Sequence, residues 1–109
     1  MKRQAYICGP YSASSEARNL MNIRAALKMG ILLLETKGLH PIVPHVGLNH
    51  GTEWNVAMDH DYKILRSLNP EVDMVITLEG WRDSAGSLTE VDLANKLGIP
   101  VYAAHEVIV

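Results

Sequence analysis

With 109 residues, 48% of them apolar and 20% charged, the chain reads as one soluble domain with a single core. The net charge is −2 and basic residues form no cluster, which excludes the positive face that binding to a nucleic-acid polymer requires. No stretch approaches the roughly 20 apolar residues of a membrane span. Met1, Lys2 and Arg3 lead at once into a strand-like run with no signal-peptide core, and the single Cys8 excludes an intramolecular disulfide. The expected setting is a reducing cytoplasm without a membrane partner.

The first predicted strand is Gln4 to Cys8, stopped by Gly9 and Pro10. Cys8 at its end reads as a small buried hydrophobe rather than a nucleophile, since no base lies nearby in sequence. A polar loop from Tyr11 to Ser15 follows, with Ser14 or Ser15 as helix N-cap. The helix runs to about Lys37, where Gly38 is a natural left-handed stop. Leu20, Ile23, Leu27, Gly30, Ile31 and Leu34 recur at three-and-four spacing, and this stripe is expected to cover the sheet. Asn19 and Asn22 have poor helix propensity and either face a site or are simply solvated.

Leu39 to Pro44 is a second short strand whose prolines point to a sheet edge. His45 and His50 in the next loop, and His60 between Asp59 and Asp61, lack the spacing of a metal site, so no metal is expected. Thr52 can cap a helix from Glu53 to about Leu68. Its stripe is Trp54, Ala57, Met58, Asp61, Leu65 and Leu68. Asp61 is the odd member: a carboxylate on an apolar face is either paired or working, with a raised pKa that makes it a candidate proton donor, or it sits partly solvated at the rim.

Val72 to Leu78 suits a buried parallel strand. A loop, a helix stopped at Gly98 and a fourth strand, Ile99 to Ala103, come next. An apolar-ended tail from His105 to Val109 needs something to pack against. Ser87-x-x-Glu90 at the helix start is a capping box, in which each side chain satisfies a backbone donor of the other. It is also a hydroxyl and a carboxylate above a strand end, where small anionic ligands dock. Trp81, Ser84 and Gly86 crowd the same loop, which a capping box alone does not explain.

Four strands alternating with three helices give an α/β/α three-layer sandwich of flavodoxin- or Rossmann-like kind. Right-handed crossovers make 2-1-3-4 the expected order of its small parallel sheet. The ligand crevice then lies between strands one and three. Cys8 to Tyr11 line one side and Gly80 to Ser84 the other, with Asp61 and Glu90 pointing in from helices. That inventory suits a sugar, whereas ATP hydrolysis lacks its GxxxxGK[ST] loop.

Across nearly its whole length the chain resembles the nucleoside 2-deoxyribosyltransferase-like superfamily, most closely its small, often phage-encoded DUF4406-type domains. The resemblance rests on the run Tyr6 to Ser12, Pro41 to His45, Asp61 with Val72 and Asp73, Gly80 with Trp81, Ser84-x-Gly86-x-x-x-Glu90, and Gly98 to Tyr102. It implies N-glycosidic bond cleavage or transfer on a nucleoside or nucleoside 5′-monophosphate, with Glu90 as nucleophile and Asp61 as acid. Tyr11 would position the base or the nucleophile, and Gly9 and Pro10 would border it. Ser84 and Gly86 would hold the 5′ end, Ser87 would bind the substrate beside them, and Trp81 would wall the pocket or merely pack. It further implies no cofactor and at least a homodimer. The alternative is a module that binds a nucleotide or ADP-ribose-type ligand without turning it over.

Overall fold

The computed structural model describes residues 3–10, 16–44 and 54–107. The strands are β1 (Gln4–Cys8), β2 (His40–Ile42), β3 (Met74–Thr77) and β4 (Val101–Ala103). The helices are α1 (Glu16–Lys37), α2 (Trp54–Ser67), α3 (Ala85–Lys96) and the short α4 (Ala104–Val107). All pairings are parallel and the order is β2-β1-β3-β4, as the alternation of elements predicts. Tyr6 lies opposite Val75 and Cys8 opposite Thr77. The proline-bearing β2 is an edge strand, where a missing backbone donor does least harm.

β1 and β3 are apolar without alternation because both their faces are covered. On one face Ala5, Ile7, Met74, Ile76 and Leu78 meet Ala26 and Leu33 of α1, with Ala104 and Val107 of the tail packed beside them. On the other face Tyr6, Cys8 and Val75 meet Leu65 and Leu68 from α2 and its C-terminal end and Val91 and Ala94 of α3. The layering is therefore uneven, with one long helix on one side and two on the other. Among the described residues, no helix is long and apolar enough to cross a membrane.

The expected stripe on α1 is corrected. Of its members Gly30 is buried and Ile23 half-buried, but Leu20, Leu27, Ile31 and Leu34 point outward and are exposed, and the core is entered instead by Ala26 and Leu33, with Met29 half-buried. Two stripes at helical spacing share this helix, and periodicity alone does not say which one faces the sheet. The predicted stop does hold. Gly38 has φ 66°, and the Gly38 and Leu39 amides donate to the Leu34 and Leu33 carbonyls at 3.1 and 3.4 Å, closing the last turn.

Asp73 joins the sheet to the helix layer. Its buried carboxylate accepts from the Gln4 amide at 3.0 Å and from the Asn69 amide at 2.7 Å, tying the start of β1 to the turn after α2. That turn positions α2 over β1. Asp61, one α2 residue, is thereby brought above Tyr6 on the α2–α3 face of the sheet.

Candidate active site

Tyr6 is fully buried in the central strand, and a buried phenol requires a partner for its hydroxyl. It donates to Glu90 Oε1 at 2.6 Å. Glu90 is 7% exposed and Asp61 8%, and the two carboxyl groups are hydrogen-bonded to each other. His60 Nδ1 lies 3.1 Å from Asp61 Oδ1. A strand and two helices thus converge on one buried pair of acids.

Burial pushes the Glu90 carboxyl up to about 8. The Tyr6 hydrogen bond favours the anion and opposes this, while the charge of Asp61 and its hydrogen bond reinforce burial. Two carboxyl groups that share a hydrogen bond in so dry a place hold a proton between them at neutral pH. Burial, then the Glu90 charge, lifts the Tyr6 hydroxyl well above its usual value, so it remains a donor.

The second oxygen of Glu90 is placed differently from the first. A Cβ built on Gly86 would stand 4.0 Å from Glu90 Oε2, 3.3 Å from Met58 Sδ and 3.8 Å from Trp54 Nε1. Any side chain at Gly86 would therefore sit in contact with α2 and beside that oxygen. Gly9 is held more tightly, since a Cβ there would come within 2.8 Å of Leu78 Cδ1. Only glycine lets the chain leave β1 so close to β3.

The capping box is corrected. Ser84, not Ser87, is the N-cap of α3, and Ser84 Oγ accepts from the Ser87 amide at 3.3 Å. Ser87 and Glu90 both lie inside the helix, and the Glu90 carboxyl is taken up by Tyr6 and Asp61. A three-residue 3-10 turn, Trp81–Asp83, precedes the cap and displaces the helix start from where the loop pattern suggests. The Ser87 hydroxyl is 2% exposed and has no hydrogen-bond partner among the described residues. Beside it the Cys8 thiol meets the Ser87 carbonyl at 3.6 Å, and burial pushes it far up, which disfavours the thiolate.

Of the residues singled out from sequence, Glu90 and Asp61 come together, with Gly86 beside them and Ser84 and Ser87 on the first turn of α3. Gly9 follows Cys8 at the end of β1. Pro10 borders a cavity of about 350 Å³ on the α1 side of the sheet, together with Asn22, Met29 and Leu78. Trp81 packs on the cluster beneath α3 and also borders a larger cavity of about 880 Å³ on the α1 side. Pro10 thus lies toward the opposite face from the acids, while Trp81 touches both sides. Tyr11 lies outside the described residues, as do Ser14, Ser15, His45, His50 and Thr52. Sequence reasoning misses Tyr6, whose signal is a tyrosine two residues from Cys8 on one face of a strand with no apolar reason for its hydroxyl. It also misses His60, set aside as a metal ligand.

The sugar isomerase domain of an RpiR transcription factor from Sphaerobacter thermophilus is similar in fold, with a TM-score of 0.58 and 18% identity. The match covers 94% of this chain and 45% of that one, so the chain spans less than half of that structure. At such identity the likeness concerns the fold alone. No curated protein matches the chain. A sequence model described as "Domain of unknown function (DUF4406)" matches residues 3–103.

Proposed function

The chain belongs to the DUF4406 family, and from the acid pair at its centre we propose that it cleaves or transfers the N-glycosidic bond of a nucleoside or nucleoside 5′-monophosphate. The observation that carries the reading is the buried Glu90, held through Oε1 by the Tyr6 hydroxyl at 2.6 Å and hydrogen-bonded to Asp61. With Oε1 held by Tyr6, Oε2 is the oxygen proposed to meet the reacting atom, on the side where Gly86 carries no side chain.

In the first step Glu90 Oε2 forms a bond to the anomeric carbon as the bond from that carbon to the base nitrogen breaks. The electron pair leaves with the base, which takes a proton from Asp61. Water, or the ring N–H of a second base, then gives its proton to Asp61 as it attacks the same carbon, and the bond to Glu90 breaks and frees its carboxylate. For this cycle the shared proton has to rest on Asp61, leaving Glu90 as the anion. His60 at Asp61 Oδ1 holds that carboxyl in place. Ser84, Gly86 and Ser87, on the first turn of α3, are the groups proposed to hold the 5′-phosphate or hydroxyl, supported by the unpartnered Ser87 hydroxyl. Tyr11, by resemblance, positions the base.

The test is base release, by chromatography, from a panel of ribo- and deoxyribonucleosides and their 5′-monophosphates, with Glu90→Ala alongside. The parent protein is expected to release base from at least one member and the variant from none. Turnover that survives in Glu90→Ala overturns the assignment. A second reading, a pocket that binds a nucleotide or ADP-ribose-type ligand without turnover, is favoured by one observation: a carboxyl pushed up to about 8 is mostly protonated at neutral pH and is then no nucleophile. Ligand binding with no base released over long incubation decides for it.

A further inference from the structure

The acid pair has a hydrogen-bonding partner at each end. On the inside the Tyr6 hydroxyl donates to Glu90 Oε1 at 2.6 Å, and on the outside His60 Nδ1 stands 3.1 Å from Asp61 Oδ1. The Asp61 side chain is 11% exposed and that of His60 39%. The line Tyr6, Glu90, Asp61, His60 therefore runs from the central strand to the surface of α2, and its last member is the one open to solvent. A donor favours negative charge on the carboxyl it touches. With one proton between the two acids, charge drawn to one places the proton on the other.

We propose that His60 is the positioning residue that decides which of the two carboxyls is the anion, and that it does so through its own charge. A neutral imidazole leaves the choice to Tyr6, which draws the charge to Glu90 and leaves the proton on Asp61. A protonated imidazole makes an ion pair with Asp61 at the rim of a dry site, and that outweighs the hydrogen bond of a neutral phenol. The proton then crosses the hydrogen bond between the acids: the O–H bond of Asp61 breaks as that of Glu90 forms. Histidine is the side chain whose charge changes between about pH 5 and pH 8. From β1 the pair is faced by the Tyr6 hydroxyl and the Cys8 thiol, both kept protonated by burial. On α3 the other charges, Asp92 and Lys96, are exposed and pair with each other at 3.0 Å, and on the turn before it Arg82 lies over the Trp81 ring with Asp83 exposed. On α2 itself Asp59 and Lys63 pair at 3.1 Å on the exposed side, and Arg66 lies over the Tyr62 ring.

For turnover the proposal rests on the glycosidic reading, since Glu90 attacks as the anion, but the proton's place is a property of the protein without ligand. The test reads it there. Carbon-13 NMR follows the carboxyl carbons of Glu90 and Asp61 and the ring carbons of His60 against pH. Three proteins are compared: the wild type, His60→Asn, which hydrogen-bonds without ever carrying a charge, and His60→Lys, which carries one throughout. Over the range where the His60 ring of the wild type takes up its proton, Glu90 Cδ should move toward its protonated position while Asp61 Cγ moves toward its ionised one. Through that range His60→Asn should hold Glu90 ionised and His60→Lys should hold it protonated. Carboxyl carbons that move together, or a crossing that persists in His60→Asn, overturn the proposal. In base release, the wild-type kcat should fall along the His60 titration with KM unchanged. His60→Asn should keep its kcat on that acid side, and His60→Lys should lose at least about tenfold at neutral pH. An acid limb unchanged in His60→Asn likewise overturns the assignment. Because the carboxyl carbons are read without substrate, a silent base-release panel counts against the glycosidic reading alone, and the crossing still decides the role of His60.

Discussion

Glu90 is a carboxyl held where water is scarce, and its pH behaviour follows from that. Its ordinary value is 4.5, and in the fold it is pushed up to about 8, so the native state binds the proton more tightly than the unfolded chain. The stability this contributes is fully present below about pH 4.5 and is lost as the pH rises through 8, at no more than about 1.4 kcal/mol per pH unit. Tm is therefore expected to fall between pH 5 and pH 8 in the wild type and to stay flatter in Glu90→Gln, as read by thermal denaturation across a buffer series. A wild-type Tm that climbs over that window contradicts a buried shared proton. Base release, which needs the pair's one shared proton on Asp61, should fall as the pH rises through 8. Gly86→Ala separates stability from turnover. Alanine favours a helix by up to about 1 kcal/mol over glycine, and the added methyl displaces only the flexible Met58 thioether by a few tenths of an ångström. The variant should melt no lower than the wild type, yet lose most of its base release because the methyl occupies the space beside Oε2. The two acids were legible because each breaks a rule of its helix: Asp61 interrupts an apolar stripe, and Glu90 follows a crowded polar loop. Tyr6 was not, since a tyrosine in a buried strand looks like packing until its hydroxyl is traced to a partner across 84 positions of sequence.

Among the elements, α3 and α1 show where local patterns mislead. Ser87-x-x-Glu90 has the letters of a capping box, but Ser84 sits three residues earlier in the β-region conformation a cap requires, with φ −109° and ψ 116°. The glutamate is drawn to Tyr6 and Asp61 instead. Ser84→Ala removes the side-chain acceptor that caps the α3 N-terminus and should cost about 1 kcal/mol, measured as a shift in the urea midpoint. The same substitution at Ser87, whose hydroxyl has no protein partner, should cost less. In α1 the error was of a different kind. Its length and stop were readable from Gly38 and the run of good helix formers, while the choice between two apolar stripes depends on the sheet beneath, which sequence does not display.

For the molecule as a whole, strand order was legible because parallel strands joined by right-handed crossovers admit few arrangements. The uneven layering was not. The long α1 and the short α4 on one side leave the cavity of about 880 Å³ over the ends of β3 and β4, a shape that depends on how far those two helices spread. The register that buries Tyr6 also buries its neighbour on the same face. Cys8 is 1% exposed and holds the chain's lone thiol at the centre of the sheet. An alkylating reagent can therefore reach it only when β1 parts from its neighbours, and the labelling half-life becomes a clock for that opening. Any nucleotide that binds the closed state must slow the clock by the factor one plus its concentration over its Kd. Followed by mass spectrometry, that retardation ranks candidate ligands without a single catalytic turnover; labelling as fast as that of a free thiol in solution would show that the centre of the sheet is open.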